Sequence, residues 1–158
     1  MPQNFQKKVL KNGITVLHEF RDLPIVSVSI TNKFGAAYEE SKIKGIAHVI
    51  EHSLFTGTKT RSNEDISREI EKRGGVLNAF TTHEVTSYWF KLPSEYVFSG
   101  LNILTDMLLN PTFEEEKFEK EKRVILEEIK MYHDNPKTAI FEQIEKNLFE
   151  PPFGELVI

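Results

Sequence analysis

The chain has 158 residues, 39% of them hydrophobic, and a formal charge of −4. That suits one globular domain burying about 70% of its unfolded surface, and Lys and Arg form no stripe that would favour a nucleic-acid partner. With no cysteine in the chain, disulfides and thiolate metal sites are excluded, and any metal must be held by His, Asp or Glu.

The N-terminus MPQNFQKKVL has no apolar signal-peptide core, and no run approaches the ~18 apolar residues of a membrane span. The chain is therefore read without a membrane partner, with the cytoplasm as the default compartment. VLKNGITVLHEF alternates around Asn12-Gly13, which predicts a hairpin from about Phe5 to Phe20 with a type I′ turn. Strict alternation from Ile25 to Thr31 predicts a half-buried strand. A helix is expected over about 42–55, capped by Gly57. A second should start near Ser62, with Asp65 completing a weak capping box and Ile66 and Ile70 on its apolar face. It should stop at Gly74-Gly75.

VLNAF and VTSYWFKL read as two strands, the second closed by Pro93. Val97, Leu101, Leu104 and Leu108 have helical spacing, and Asn110-Pro111 ends that helix. A long charged helix is expected from about Glu114 to His133, stopped by Asp134-Asn135-Pro136, then a last one from about Thr138 to Phe149. Hairpins interrupted by helical pairs predict an α+β fold, a largely antiparallel sheet with helices packed on one face. No glycine-rich phosphate loop appears, which argues against nucleotide binding.

Residues 48–52 read HVIEH. On a helix His48 and His52 point the same way one turn apart, and Glu51 flanks that face. Two imidazoles and a carboxylate are the ligand chemistry of a catalytic zinc site. Glu51 need not be a ligand, because it is also placed to take a proton from a metal-activated water. The bland alternative is three surface residues on a charged helix. The flanking text GIAHVIEHSLF is apolar, however, and buried imidazoles need partners. A third ligand is sought in EKEKRVILEEIKMYHDNP, where Val124-Ile125-Leu126 mark a buried stretch. Glu121 and Glu128 share a face seven residues apart. Periodicity alone does not choose among Glu121, Glu127 and Glu128, and each is equally the edge of a solvated face.

HVIEH is the inverted zinc motif. Together with GGVLNAFTTHEVTSYWF, DMLLNPTFEEEKFEKEKRVILEEIKMYHDNP and the closing PPFG, it makes nearly the whole chain resemble the N-terminal part of the pitrilysin/insulysin family of zinc metallopeptidases, the inverzincins. The likeness is greatest to bacterial, archaeal and mitochondrial processing peptidases. In that family a glutamate follows the second histidine by about 76 positions, which is where Glu128 stands after His52, and a supporting glutamate precedes it by seven, matching Glu121.

The resemblance implies that His48, His52 and Glu128 bind one Zn2+ per chain. It implies that Glu51 is the general base and later the proton donor, and that Glu121 steadies a ligating imidazole or its helix. It also implies an extended peptide substrate paired to the edge strand Val76–Thr81, with Asn78, Ala79 and Phe80 matching the family's Asn-Ala-Phe and small Ala79 permitting close approach. His18, His83 and His133 are read as surface or packing residues.

Family domains exceed the length of this chain and come in pairs. The resemblance therefore implies a single N-terminal catalytic domain over 1–158, incomplete at its C-terminal end, with a second homologous domain or subunit as partner. The apolar finish Leu156-Val157-Ile158 is read the same way, and self-association over an exposed edge is expected. The expected function is a zinc-dependent endopeptidase, weakly active without its second half. A non-catalytic scaffold or peptide-binding subunit and a structural metal module are the alternatives, and the intact HxxEH motif favours catalysis.

Overall fold

The computed structural model describes residues 5–157; Ile158, in the apolar finish read above, lies outside them. Among the described residues the strands pair in antiparallel fashion. β1 (Phe5–Val9) and β2 (Thr15–Glu19) form the expected hairpin. Its turn differs from the type I′ expectation, because Gly13 alone takes a positive φ, +89°. The Leu10 N–H donates to the Ile14 carbonyl at 2.8 Å and the Gly13 N–H to the Leu10 carbonyl at 3.0 Å, so the loop has three residues. This form places only a glycine in the left-handed region and leaves Asn12 Oδ1 to accept from the Ile14 N–H at 3.2 Å. Both strands are exposed along their whole length.

The second sheet has the order β3-β5-β4, built from β3 (Ile25–Asn32), β4 (Val76–Thr81) and β5 (Thr86–Pro93). β5 is central and reads as one: Tyr88, Phe90 and Leu92 are all buried. Helices α1 (Ile46–Leu54), α2 (Asn63–Glu71) and α3 (Val97–Leu109) cover one face. Leu54, Ile66, Ile70, Ile103, Leu104 and Met107 meet Tyr88, Phe90 and Leu92 there in one core. Phe90 is fully buried, which contributes about 1.5–3 kcal/mol. The fold is α+β with antiparallel sheets, as the sequence implied.

Helix α1 begins later than expected. Gly45 takes φ +84° and residues 41–43 form a separate 3-10 turn. Helix α2 has the capping box in full, with Ser62 and Asp65 bonded reciprocally. The buried residues of α3 are Gly100, Ile103, Leu104 and Met107; of the expected stripe, Leu104 is among them and Leu101 and Leu108 pack partly buried at the edge of the same core. This helix is apolar most of the way round, so periodicity defined its face poorly. The close approach of Gly100 to the Phe90 ring, where a Cβ would lie 2.6 Å away, selects it instead.

Helix α4 (Glu115–Asp134) packs on α1, and α5 (Pro136–Leu148) packs on α4. Asn135 caps α5, and Pro136 occupies its first turn, where a missing N–H costs nothing. Within α4 only Ile125 of the expected buried trio is buried; Val124 and Leu126 are exposed. Three consecutive residues on a helix point in directions about 100° apart, so a narrow contact stripe takes in one of them and leaves its neighbours outside. No helix among the described residues is long and apolar enough to cross a membrane.

Candidate metal centre

The site forms where α1 meets α4. The start of α1 is secured by a buried residue that the sequence analysis missed. Glu39 accepts from the Gly45 N–H at 2.7 Å and the Ala47 N–H at 2.8 Å through its two carboxylate oxygens. A carboxylate at this end satisfies orphan donors and complements the helix dipole. The signal for it was weak, because Glu39 stands outside the helix it caps. The other end of α1 runs into a loop tied to the α3–α4 turn. Thr58 bridges Pro111, and the Thr112 N–H donates to the Gly57 carbonyl at 3.1 Å. Asp106 anchors that loop, accepting from Thr58 Oγ1 at 2.7 Å, Thr60 Oγ1 at 2.9 Å and Arg61 Nη1 at 2.6 Å. Burial pushes the Asp106 carboxyl up, but the hydrogen bonds from Thr58, Asn110, Thr60 and Arg61 outweigh it and hold the group at about 2.

These contacts bring residues far apart in sequence to one point. Glu128 Oε2 lies 3.9 Å from His48 Nε2 and 3.6 Å from His52 Nε2. One donor atom from each of the three residues falls within a set no wider than 4.8 Å. Two donors on a tetrahedral zinc are about 3.4 Å apart, close to the 3.6 and 3.9 Å that separate Glu128 Oε2 from the two imidazole nitrogens. Of the three glutamates left open by periodicity, Glu128 joins the pair. Glu121 Oε2 instead lies 3.2 Å from His52 Nδ1, and Glu127 is exposed, paired with Lys130 at 2.7 Å.

The residues fit a zinc ion on chemical grounds. His48 Nδ1 is buried without a hydrogen-bond partner among the described residues. Its Nε2 has Glu128 at 3.9 Å, beyond hydrogen-bond reach. Burial pushes the His48 pKa down, and His52 adds to this against the opposing pull of Glu128 and Glu39, so the ring favours the neutral form that ligates metal. Two imidazoles and a carboxylate suit zinc.

Glu51 projects from the same helix and is buried. Its Oε2 accepts from Thr81 Oγ1 at 2.5 Å. Burial pushes its carboxyl up, partly offset by the Thr81 hydrogen bond and by His52, while Glu128 pushes the same way as burial. Thr81 ends β4, the strand named as a substrate edge, and β4 does lie at the edge of its sheet. Asn78 and Phe80 are exposed; Ala79 faces inward against the core, so its small size serves packing there. Asn78 Oδ1 accepts from the Ala79 N–H at 2.7 Å. His83 stands apart from the site, with Nε2 2.9 Å from the Glu155 carbonyl oxygen; His18 and His133 are exposed.

The family model described as "Insulinase (Peptidase family M16)" matches residues 15–155. An uncharacterized zinc protease of Rickettsia felis is 39% identical over 160 residues, covering 100% of this chain and 39% of its own length. The mitochondrial-processing peptidase subunit beta of Mus musculus is 35% identical over 145 residues, covering 92% of this chain and 30% of its own. The crystal structure of a protease from Helicobacter pylori superposes with a TM-score of 0.80 at 26% identity, covering 87% of this chain and 33% of that one. The chain thus spans two fifths or less of each of these relatives.

Proposed function

This chain belongs to the insulinase family, peptidase family M16, and from that premise we propose that it is the metal-bearing part of a zinc-dependent endopeptidase acting on extended peptides. The observation that carries this reading is the convergence of His48, His52 and Glu128 within 4.8 Å. These three would hold one zinc. When bound, zinc polarises a scissile carbonyl and makes water a usable nucleophile near neutral pH.

The chain's own residues supply the rest. Glu51 takes a proton from the attacking water on its carboxylate and later delivers it to the leaving amine. A proton affinity raised by burial suits a group that must accept and then donate. Glu121 orients His52 by holding Nδ1 and leaving Nε2 toward Glu128. The free edge of β4 pairs with the peptide backbone, with Asn78 and Phe80 exposed beside it and Ala79 supplying a main-chain partner. Pairing at Ala79 N–H requires the Asn78 side chain to release it. A second homologous domain or subunit completes the substrate chamber, and the isolated chain turns over slowly without it.

Glu51→Gln tests the reading. Zinc affinity measured by calorimetry should persist, while hydrolysis of a fluorogenic peptide by the zinc-loaded chain should fall at least about 100-fold. Activity that survives the change removes Glu51 as the base. Peptide binding by a zinc-loaded wild type that cleaves nothing assigns the chain instead to a non-catalytic, peptide-binding role.

A further inference from the structure

Thr81 has no part in metal binding, yet it makes the hydrogen bond that the structure gives the Glu51 carboxylate, Oγ1 to Oε2 at 2.5 Å. The direction of that bond follows from the protons available. A carboxylate only accepts, so the Thr81 hydroxyl donates. Its neighbour across the hairpin, Thr86, donates its own proton to the Phe34 carbonyl at 2.9 Å. The 3.5 Å approach between the two hydroxyls therefore carries no proton that competes for Thr81. One hydroxyl proton engages one oxygen of Glu51.

The surroundings hold Thr81 in place. Gly35 packs so tightly on the hairpin turn that a Cβ there would lie 2.2 Å from the Thr82 carbonyl oxygen. The Ala36 N–H donates to that same oxygen at 3.0 Å, and the Ala37 N–H to the His83 carbonyl at 2.8 Å. The loop so docked leads directly to Glu39, whose carboxylate caps α1. Helix α1 is thus tied to the end of β4 at its first turn through this loop and in its middle through Thr81.

We propose that Thr81 is a positioning residue: its hydroxyl holds Oε2 of Glu51 and leaves Oε1 as the oxygen that takes the proton from the attacking water, in fixed register with edge strand β4. This rests on the peptidase reading above. In the proton transfer the water O–H bond breaks and an Oε1–H bond forms, while Thr81 keeps its own proton throughout. The strand that carries the substrate and the base that acts on it then share a single hydrogen bond, and placing a reacting group within an ångström is worth about 100-fold in rate.

The test compares Thr81→Val, which keeps the shape and removes the donor, with Thr81→Ser, which keeps the donor. The infrared carboxylate band of Glu51, isolated as the difference from Glu51→Gln, should shift in the valine variant and return in the serine variant. Zinc affinity should match wild type in both. With the zinc-loaded chain on a fluorogenic peptide, kcat should fall about 10- to 100-fold in the valine variant with KM unchanged, and recover in the serine variant. An unmoved band in Thr81→Val, an unchanged kcat, or equal impairment in the valine and serine variants overturns the proposal. If the wild type cleaves nothing, the peptidase reading of this chain alone fails, and the infrared comparison still decides Thr81.

Discussion

Glu121 Oε2 lies 3.2 Å from His52 Nδ1, while the opposite nitrogen of the same ring faces Glu128 Oε2 at 3.6 Å. A carboxylate on Nδ1 fixes the tautomer that presents a lone pair at Nε2. Glu121→Gln should therefore weaken zinc binding about 10- to 100-fold while leaving the site able to load. Glu128→Gln, which removes a proposed ligand, should weaken it further. Calorimetric titration of zinc into the two variants beside the wild type gives the order; equal loss in both would refute the distinction between ligand and support.

Glu39 should matter more than its place in a loop suggests. Its two oxygens satisfy two N–H groups at the start of α1. Glu39→Ala leaves the buried Ala47 donor and the half-buried Gly45 donor without this partner and should destabilise the fold by about 1–3 kcal/mol. Because the same helix carries His48 and His52, zinc affinity should fall too. Urea unfolding of the metal-free protein separates the first effect from the second.

Asp106 gives the protein an acid-sensitive joint. Its folded-state pKa of about 2 lies below the ordinary 3.8, so the unfolded chain takes up this proton first as pH falls. The stability it contributes is fully present above about pH 4 and is lost as the pH drops through 2. Asp106→Asn should lower the urea midpoint at about pH 5, and the gap from wild type should shrink at about pH 2.5. A gap that stays constant across that window would show that the charge is not responsible.

Gly100→Ala is a control that spares the metal. The added Cβ would meet the Phe90 ring at 2.6 Å and Leu92 at 2.8 Å, so these buried side chains must shift. Overpacking of this kind costs about 1–3 kcal/mol. The melting temperature should drop while zinc affinity in the folded protein stays at the wild-type value.

The elements were largely legible in the sequence because each rests on local physics. Alternation in IVSVSITN, the Ser62–Asp65 capping box and the apolar positions Ile66 and Ile70 need no distant partner to be recognised. The faces of α3 and α4 were not legible to the same degree. Their apolar residues permit more than one buried stripe, and the choice is made by packing partners outside the helix itself, the Phe90 ring of β5 for Gly100 and the crossing of α1 for α4.

The site divides in the same way. HVIEH by itself places two imidazoles and a carboxylate on one helical face, since 3.6 residues per turn is all that requires. The sequence also determined that a metal here has no thiolate available. Periodicity left three glutamates of α4 open and the family resemblance pointed to Glu128; the physical reason is the crossing of α4 over α1, which brings Glu128 to both rings and Glu121 to the far side of one. The contacts of Glu39 with α1, and of Thr81 with Glu51, likewise belong to tertiary structure alone. A helix repeat dictates which residues look the same way, but only packing decides what they face.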